Sequence, residues 1–247
     1  MKDTEATLLS SRRPVALAWS GGKDSSLALA ALRADPAVEV VALLTTVTRD
    51  FDRISMHGVR RSILAAQVDA IGLPLVEAPI PACASNLLYE EALSAALDQL
   101  RHMYPGLHHL AFGDLFLQDV RAYRETLLRP LGWEPLFPLW GADTAALARR
   151  FIEEGYGAII TCVDAQQLDP AFSGREFDWN FLAELPPTVD PCGERGEFHS
   201  CVYAGPIFRS NLAVTIGERV TRDGRFEYCD LMLADSSGMV PAATKMP

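Results

Sequence analysis

Apolar residues along this chain fall into short blocks of two alternating kinds. Val15–Trp19 is five consecutive apolar residues ended by Ser20-Gly21-Gly22, and Leu27–Leu32 continues in Ala and Leu. The first block reads as a strand buried on both faces, the second as a helix. Val38–Val47 (VEVVALLTTV) is β-branched and predicts a second buried strand. Beyond a polar loop at Thr48–His57, Ile63, Leu64, Val68 and Ile71 recur at helical spacing, with Gly72 placed to end that helix. Leu75–Ile80, among prolines 74, 79 and 81, is a third strand. Leu87–Met103 is an amphipathic helix whose expected inner face is Leu88, Ala92, Ala95, Ala96 and Leu100. His109–Phe112 gives a fourth strand, stopping at Gly113 and Asp114, and Gln118–Leu128 a helix. Glu134–Trp140 is a proline-interrupted fifth extended segment, a helix runs from an Asp143 N-cap through Glu154, and Ala158–Val163 is a sixth strand.

Strands alternating with helices from 14 to 165 predict an α/β domain with an open, doubly wound, mostly parallel sheet. The pattern then changes. Phe177–Leu185 reads as a short helix broken by Pro186 and Pro187. Extended runs follow at Ser200–Tyr203, Leu212–Val220 and Arg225–Leu233, the last two joined by a turn at Arg222-Asp223-Gly224. Residues 166–234 are thus expected as a smaller, strand-rich C-terminal part that closes over the first. Residues 1–13 and 235–247 read as flexible ends. Ligands of doubly wound sheets sit beyond the carboxyl ends of the strands. That places Ser20–Ser26, Thr45, Thr46, Gly113, Asp114, Val163 and Asp164 around one expected crevice.

Composition narrows the function. Of 247 residues, 22 are Lys or Arg and 32 are Asp or Glu, a net charge of −10 that disfavours a nucleic-acid-coating role. No apolar run approaches a membrane span, and the run after Arg12-Arg13 ends too early for a secretory signal. Five scattered cysteines without C-x-x-C point to a reducing, cytoplasmic setting rather than to disulfides.

The chemistry concentrates at four places. Ser20-Gly21-Gly22-Lys23-Asp24-Ser25-Ser26 joins a strand to a helix, where glycines admit a close ligand and free N–H groups attract phosphate. It is not the common P-loop, because Leu17 stands where that motif has its first Gly and Asp24 follows the Lys. Lys23 is either near the phosphates or solvated; Asp24 is either a helix cap or a Mg²⁺ ligand. Second, His57-Gly58-Val59-Arg60 closes a loop, and Arg60 and Arg61 oppose the helix dipole unless an anion lies nearby. Third, Gly113-Asp114 precedes Arg121, Arg124 and Glu125, with Arg124 expected on a solvated salt-bridge face. Fourth, Asp190-Pro191-Cys192-Gly193-Glu194-Arg195-Gly196-Glu197-Phe198-His199 gathers carboxylates, a thiol and an imidazole suited to binding an amine or activating a nucleophile. Cys192, His199 and Cys201 fit no standard zinc spacing, and Cys192 beside Glu194 lacks the electropositive setting of a reactive thiol.

SGGKDS (20–25) resembles the signature of the PP-loop ATP pyrophosphatases. Together with SMHGVR (55–60), FGDLFLQDVRAYRE (112–125), PLW (138–140) and DPCGERGEFHSCVYAGPIF (190–208), it resembles the diphthine–ammonia ligase family within them. The FHS form, where other members have Y-E-T, is similar to the bacterial branch. The resemblance implies the Rossmann-like (HUP) fold of the adenine nucleotide alpha hydrolases. It implies a ligase that uses ATP and Mg²⁺ to adenylate a carboxylate substrate and amidate it with ammonia, releasing AMP and pyrophosphate. It implies that Ser20, Gly21, Gly22, Lys23, Asp24, Ser25, Ser26, His57 and Gly113 bind ATP, with Asp24 also a metal ligand. Asp114, Glu194 and Glu197 would be catalytic. Two other readings remain beside it. One is tRNA sulfur transfer, which would want a basic face and paired cysteines; the other is a nucleotide-sensing regulatory protein without turnover. A homo-oligomer is left open.

Overall fold

The computed structural model describes residues 12–55 and 57–234. Strand β1 (Arg13–Ala18) is the centre of the first sheet, with α1 (Lys23–Ala34) following it directly. Next in the chain come β2 (Val38–Thr48), the short β3 (Arg53–Ile54), α2 (Arg61–Ile71), β4 (Leu75–Ile80) and α3 (Asn86–Met103). β5 (His109–Ala111), α4 (Gln118–Leu128) and β6 (Glu134–Leu136) complete this part. The strands lie in the order β4-β2-β1-β5-β6, all parallel, with β3 antiparallel to the last residues of β2. Pro135 is tolerated because β6 is an edge, hydrogen-bonded among the described residues to β5 alone.

Alternation along the strands feeds two cores. Val15, Leu17 and Trp19 face α1 and α2, while Ala16, Ala42 and Leu44 face α3 and the end of α4. Helices on both faces make the sheet doubly wound, as expected. The inner face of α3 is rotated from the expected one: Leu93, Ala96, Leu97 and Leu100 are buried, whereas Leu88 is exposed. Both sets have helical spacing, and what separates them is burial, since Leu93 and Leu97 carry far more apolar area than Ala92 and Ala95.

The sixth strand corrects the expected architecture. β7 (Gly157–Asp164), reached through α5 (Thr144–Glu153), does not extend the parallel sheet. With β8 (Phe198–Ala204), β9 (Val214–Arg222) and β10 (Phe226–Leu233) it forms an antiparallel sheet ordered β8-β7-β10-β9. The chain therefore changes sheets between Leu136 and Gly157. The short α6 (Trp179–Glu184) packs Phe181 against Phe177 and Phe198 of this second unit. One apolar core is shared: buried residues of α1 and α2 join those of β7, β8 and β10 in a single cluster. The flexible ends expected at 1–13 and 235–247 lie outside the described residues, except that Arg12 is described and Arg13 opens β1. Among the described residues, no helix is long and apolar enough to cross a membrane.

Candidate active site

A cleft of about 710 Å³ opens where the carboxyl ends of β1, β2 and β5 meet β8 and the loop before it. Its floor is the glycine loop. Gly21 has φ +76, and a Cβ there would also meet Gln67 Oε1 at 2.6 Å, so only glycine fits. Gly22 is the N-cap of α1 in an extended conformation and has no side-chain cap, which removes the reading of Asp24 as a cap. The Gly22 N–H donates to Ser20 Oγ (3.3 Å), and the Lys23 N–H donates to Ser200 Oγ of β8 (3.2 Å). Ser25 and Ser26 donate back to the Gly22 carbonyl at 2.9 and 3.0 Å, stiffening the first turn. Ser20, Gly22, Lys23, Asp24 and Ser25 line the cleft, while Gly21 and Ser26 lie behind it.

The loop is braced from behind by a residue that motif reading missed. Gln67 of α2 is fully buried and donates to the Gly21 carbonyl (3.0 Å) and the Val202 carbonyl (2.7 Å), while accepting from Trp19 Nε1 (3.2 Å). The Val202 N–H also reaches the Gly21 carbonyl at 2.8 Å. A signal existed: Gln67 is four residues from both Ile63 and Ile71, a polar residue on the apolar stripe of its helix.

Lys23 is not solvated. It is 2% exposed, donates to both oxygens of Asp24 at 2.8 Å and to the Cys192 carbonyl, and lies 5.7 Å from the Phe198 ring centroid. Burial alone would lower its pKa, but the Asp24 carboxylate outweighs burial and keeps the ammonium charged. Gly113 packs against this turn so closely that a Cβ would stand 2.9 Å from the Asp24 carbonyl carbon. Asp114 lines the cleft and accepts from Arg124 Nη2 at 3.0 Å, while the Arg124 guanidinium covers the Phe112 ring at 4.1 Å. Arg124 thus belongs to the cleft wall and not to a solvated helix face.

The loop from 190 to 197 is organised by two carboxylates. Asp190 accepts the N–H of Cys192 (2.9 Å) and Glu194 (3.3 Å) through Oδ1, and the Thr144 hydroxyl through Oδ2 (2.7 Å). Glu197, 2% exposed, accepts the N–H of Asp190 and of Arg195, both at 2.9 Å. The expectation that Glu197 faces substrate therefore meets a carboxylate turned inward and spent on the loop's own backbone. Glu194 differs: it lines the cleft and reaches across to accept the N–H of Leu115 (2.8 Å) and Phe116 (3.3 Å). Burial raises its pKa, the two N–H bonds oppose this, and the charges of Asp24 and Asp114 add to the rise. Burial pushes the thiols of Cys192 and Cys201 up to about 12, which removes them as nucleophiles. Among the described residues, no three His, Cys, Asp or Glu side chains are placed to hold a metal ion, so the Cys192–His199–Cys201 zinc set does not form.

His57 and His199 line the cleft together, their ring centroids 4.5 Å apart. Thr45 and Thr46 also reach it, whereas Val163 and Asp164 do not; Asp164 pairs with Arg225 at 2.6 Å. Arg60 and Arg61 do not wait for a ligand anion either. Arg60 pairs with Asp230 (2.6 Å), which Arg53 also holds (2.8 Å), and Arg61 pairs with Glu77.

Comparison with known proteins matches two adjoining family models to this chain. Residues 13–135 match the diphthamide synthase N-terminal domain, and residues 143–232 match the diphthamide synthase C-terminal domain. Among curated proteins, the chain is 26% identical over 234 residues to a diphthine–ammonia ligase of Schizosaccharomyces pombe, covering 86% of this chain but 38% of that protein. It is 26% identical over 221 residues to a diphthine–ammonia ligase of Danio rerio, covering 81% of this chain and 86% of that protein. A diphthine–ammonia ligase of Bos taurus is 30% identical over 138 residues, 51% of this chain.

Proposed function

This chain belongs to the diphthamide synthase family, and on that premise we propose that its cleft carries out ATP-dependent amide formation. A carboxylate substrate is adenylated with loss of pyrophosphate, and ammonia then displaces AMP. The observation that carries this reading is the convergence, in one cleft, of a glycine turn at a helix start with Lys23, Asp24, Asp114 and Glu194. Phosphate oxygens are drawn to the first turn of α1, where the dipole and N–H groups favour negative charge. The hydroxyls of Ser20 and Ser200, now accepting from loop N–H groups, can turn to donate to phosphate instead. The Lys23 ammonium, already charged beside the loop, stabilises the charge that grows on those oxygens during attack.

Mg²⁺ fits the donor chemistry of this wall, where Asp24 and Asp114, paired here with Lys23 and Arg124, carry hard carboxylate oxygens with lone pairs left for a cation beside those partners. A cation that keeps several waters and shares phosphate oxygens needs only one or two such ligands, and among the described residues no closed protein cage is present. When bound it would neutralise the leaving pyrophosphate. Glu194, anchored by two N–H groups, is oriented to accept a hydrogen bond from the attacking ammonia, while Glu197 and Asp190 hold the loop that positions it. The test is direct. ATP incubated with the protein, ammonium and a panel of carboxylates, diphthine-bearing protein included, should yield AMP and pyrophosphate only when both co-substrates are present. Conversion to ADP, or tight ATP binding without pyrophosphate release across the panel, would sink this assignment.

A further inference from the structure

We infer that His57 and His199 form the proton-accepting wall of the cleft, taking the proton that the attacking nitrogen must lose as an acyl-adenylate becomes an amide. This rests on the amide-ligase reading above and names the residues for its second half. The two rings come from different units, His57 from the loop after β3 and His199 from β8, and meet at 4.5 Å. His57 borders the glycine loop: its Cε1 would lie 3.5 Å from a Cβ on Gly22. Its Nδ1 is buried and has no hydrogen-bond partner among the described residues. A buried ring nitrogen left unpaired costs free energy unless it has a use.

The remaining groups facing the rings do not compete for this role. Asp24 is held by Lys23, and Asp114 by Arg124. Glu194 is anchored through Oε1 and orients the incoming ammonia. Burial lowers the pKa of both imidazoles, to about 4 for His199, with the Lys23 charge adding to it; for His57 the neighbouring His199 contributes as well. The Ser200 backbone beside His57 opposes that fall. Both rings are thus neutral at pH 7.

Attack by neutral ammonia forms the C–N bond, moves the carbonyl π pair onto oxygen and leaves the nitrogen cationic. An imidazole lone pair takes the surplus proton. The carbonyl re-forms as the C–O bond to phosphate breaks, and AMP leaves with that electron pair.

The half-reactions separate this role from a structural one. ATP–pyrophosphate exchange reports adenylation alone. His199→Gln, which lies outside the residues assigned to ATP, should retain exchange within about threefold while amide formation falls by about 100-fold or more, the usual worth of a proton acceptor. His199→Ala should regain amide formation with added imidazole. In the folded wild-type protein, diethyl pyrocarbonate acylation mapped to His199 should likewise block amidation and spare exchange, which covers variants that fail to fold. Equal loss of both half-reactions when His199 alone is substituted or acylated, or amidation at the wild-type rate after modification of both rings, would overturn the inference. Absence of exchange in the untreated wild type would instead overturn the amide-ligase reading.

Discussion

Gln67→Leu tests how the glycine loop is held in place. The substitution keeps the side chain's size but removes one donor group and one acceptor in a fully buried position. Trp19 Nε1 loses its acceptor at 3.2 Å and the Val202 carbonyl loses its donor at 2.7 Å. The Gly21 carbonyl keeps the Val202 N–H at 2.8 Å and is not orphaned. Two orphaned buried groups cost about 1–3 kcal/mol each, and the added apolar contact returns about 1 kcal/mol, leaving a loss of about 1–5 kcal/mol. For a chain of this size the midpoint, about 3 kcal/mol, lowers Tm by about 6–12 °C. Because the lost bonds join Gly21 to α2, ATP affinity measured by calorimetry at a temperature where the variant is folded should fall as well. A variant melting within about 2 °C of wild type, with unchanged ATP affinity, would show that Gln67 is not the brace and that β8 alone fixes the loop.

Gly113→Ala should weaken nucleotide binding, read by calorimetry, because its Cβ would lie 2.9 Å from backbone of Asp24 and force the first turn of α1 to move. Asp24→Ala should destabilise the protein by about 2–4 kcal/mol in urea titrations as well as abolish turnover, since it leaves the buried Lys23 ammonium without its carboxylate. Arg60→Ala should cost about 1–3 kcal/mol at neutral pH, with Arg53 still holding Asp230. Burial pushes the Asp230 carboxyl up, but hydrogen bonds from Arg60 and Arg53 outweigh it and leave the pKa below its usual value. That contribution is present above the unfolded pKa and disappears as pH falls through the folded one, so wild type and variant should converge in strong acid. The two cleft histidines act in a higher window. Both have folded pKa values below 6.5, so their neutral burial favours the fold above that pH, and stability should decline as pH falls toward about 4, less steeply in His199→Gln.

How far the fold could be read depended on whether one physical signal pointed one way. β1 and β2 stood out because both faces are buried along their centres, which makes near-continuous apolar runs, whereas β4 buries only alternate residues, Val76 and Ala78, and was marked by its bracketing prolines. The same signal misled at β7. GAIITCVD is buried throughout, and a buried run does not say whether its neighbours will be parallel or antiparallel. Membership in the second sheet is decided by β8 and β10, whose residues pair with β7 from about 35 to 66 positions downstream of it, as Val163 with Phe198 and Cys162 with Tyr228. On α3 two stripes of equal period were available, and packing chose the one with the larger side chains.

The site divides in the same manner. The glycine turn was legible because its chemistry is local: strand end, two glycines and helix start are consecutive, so their spatial relation is fixed by covalent geometry. Glu194 and Glu197 were not separable, although three residues apart in one motif, because their fates depend on which way a loop outside regular structure turns. Asp190 and Glu197 bind that loop's own N–H groups, and this inward pairing is what leaves Glu194 directed across the cleft to Leu115 and Phe116. An acidic side chain in such a loop therefore has two uses, making the loop and using it, and only the backbone decides between them. The consequence can be measured. Glu197→Gln keeps an acceptor for one N–H but presents an amide donor to the other, so it should loosen the loop and reduce turnover while also lowering Tm. Glu194→Gln, whose surviving Oε1 can still accept from Leu115, should reduce turnover with Tm nearly unchanged. If the two variants lost stability equally, the division of labour argued from their contacts would be wrong.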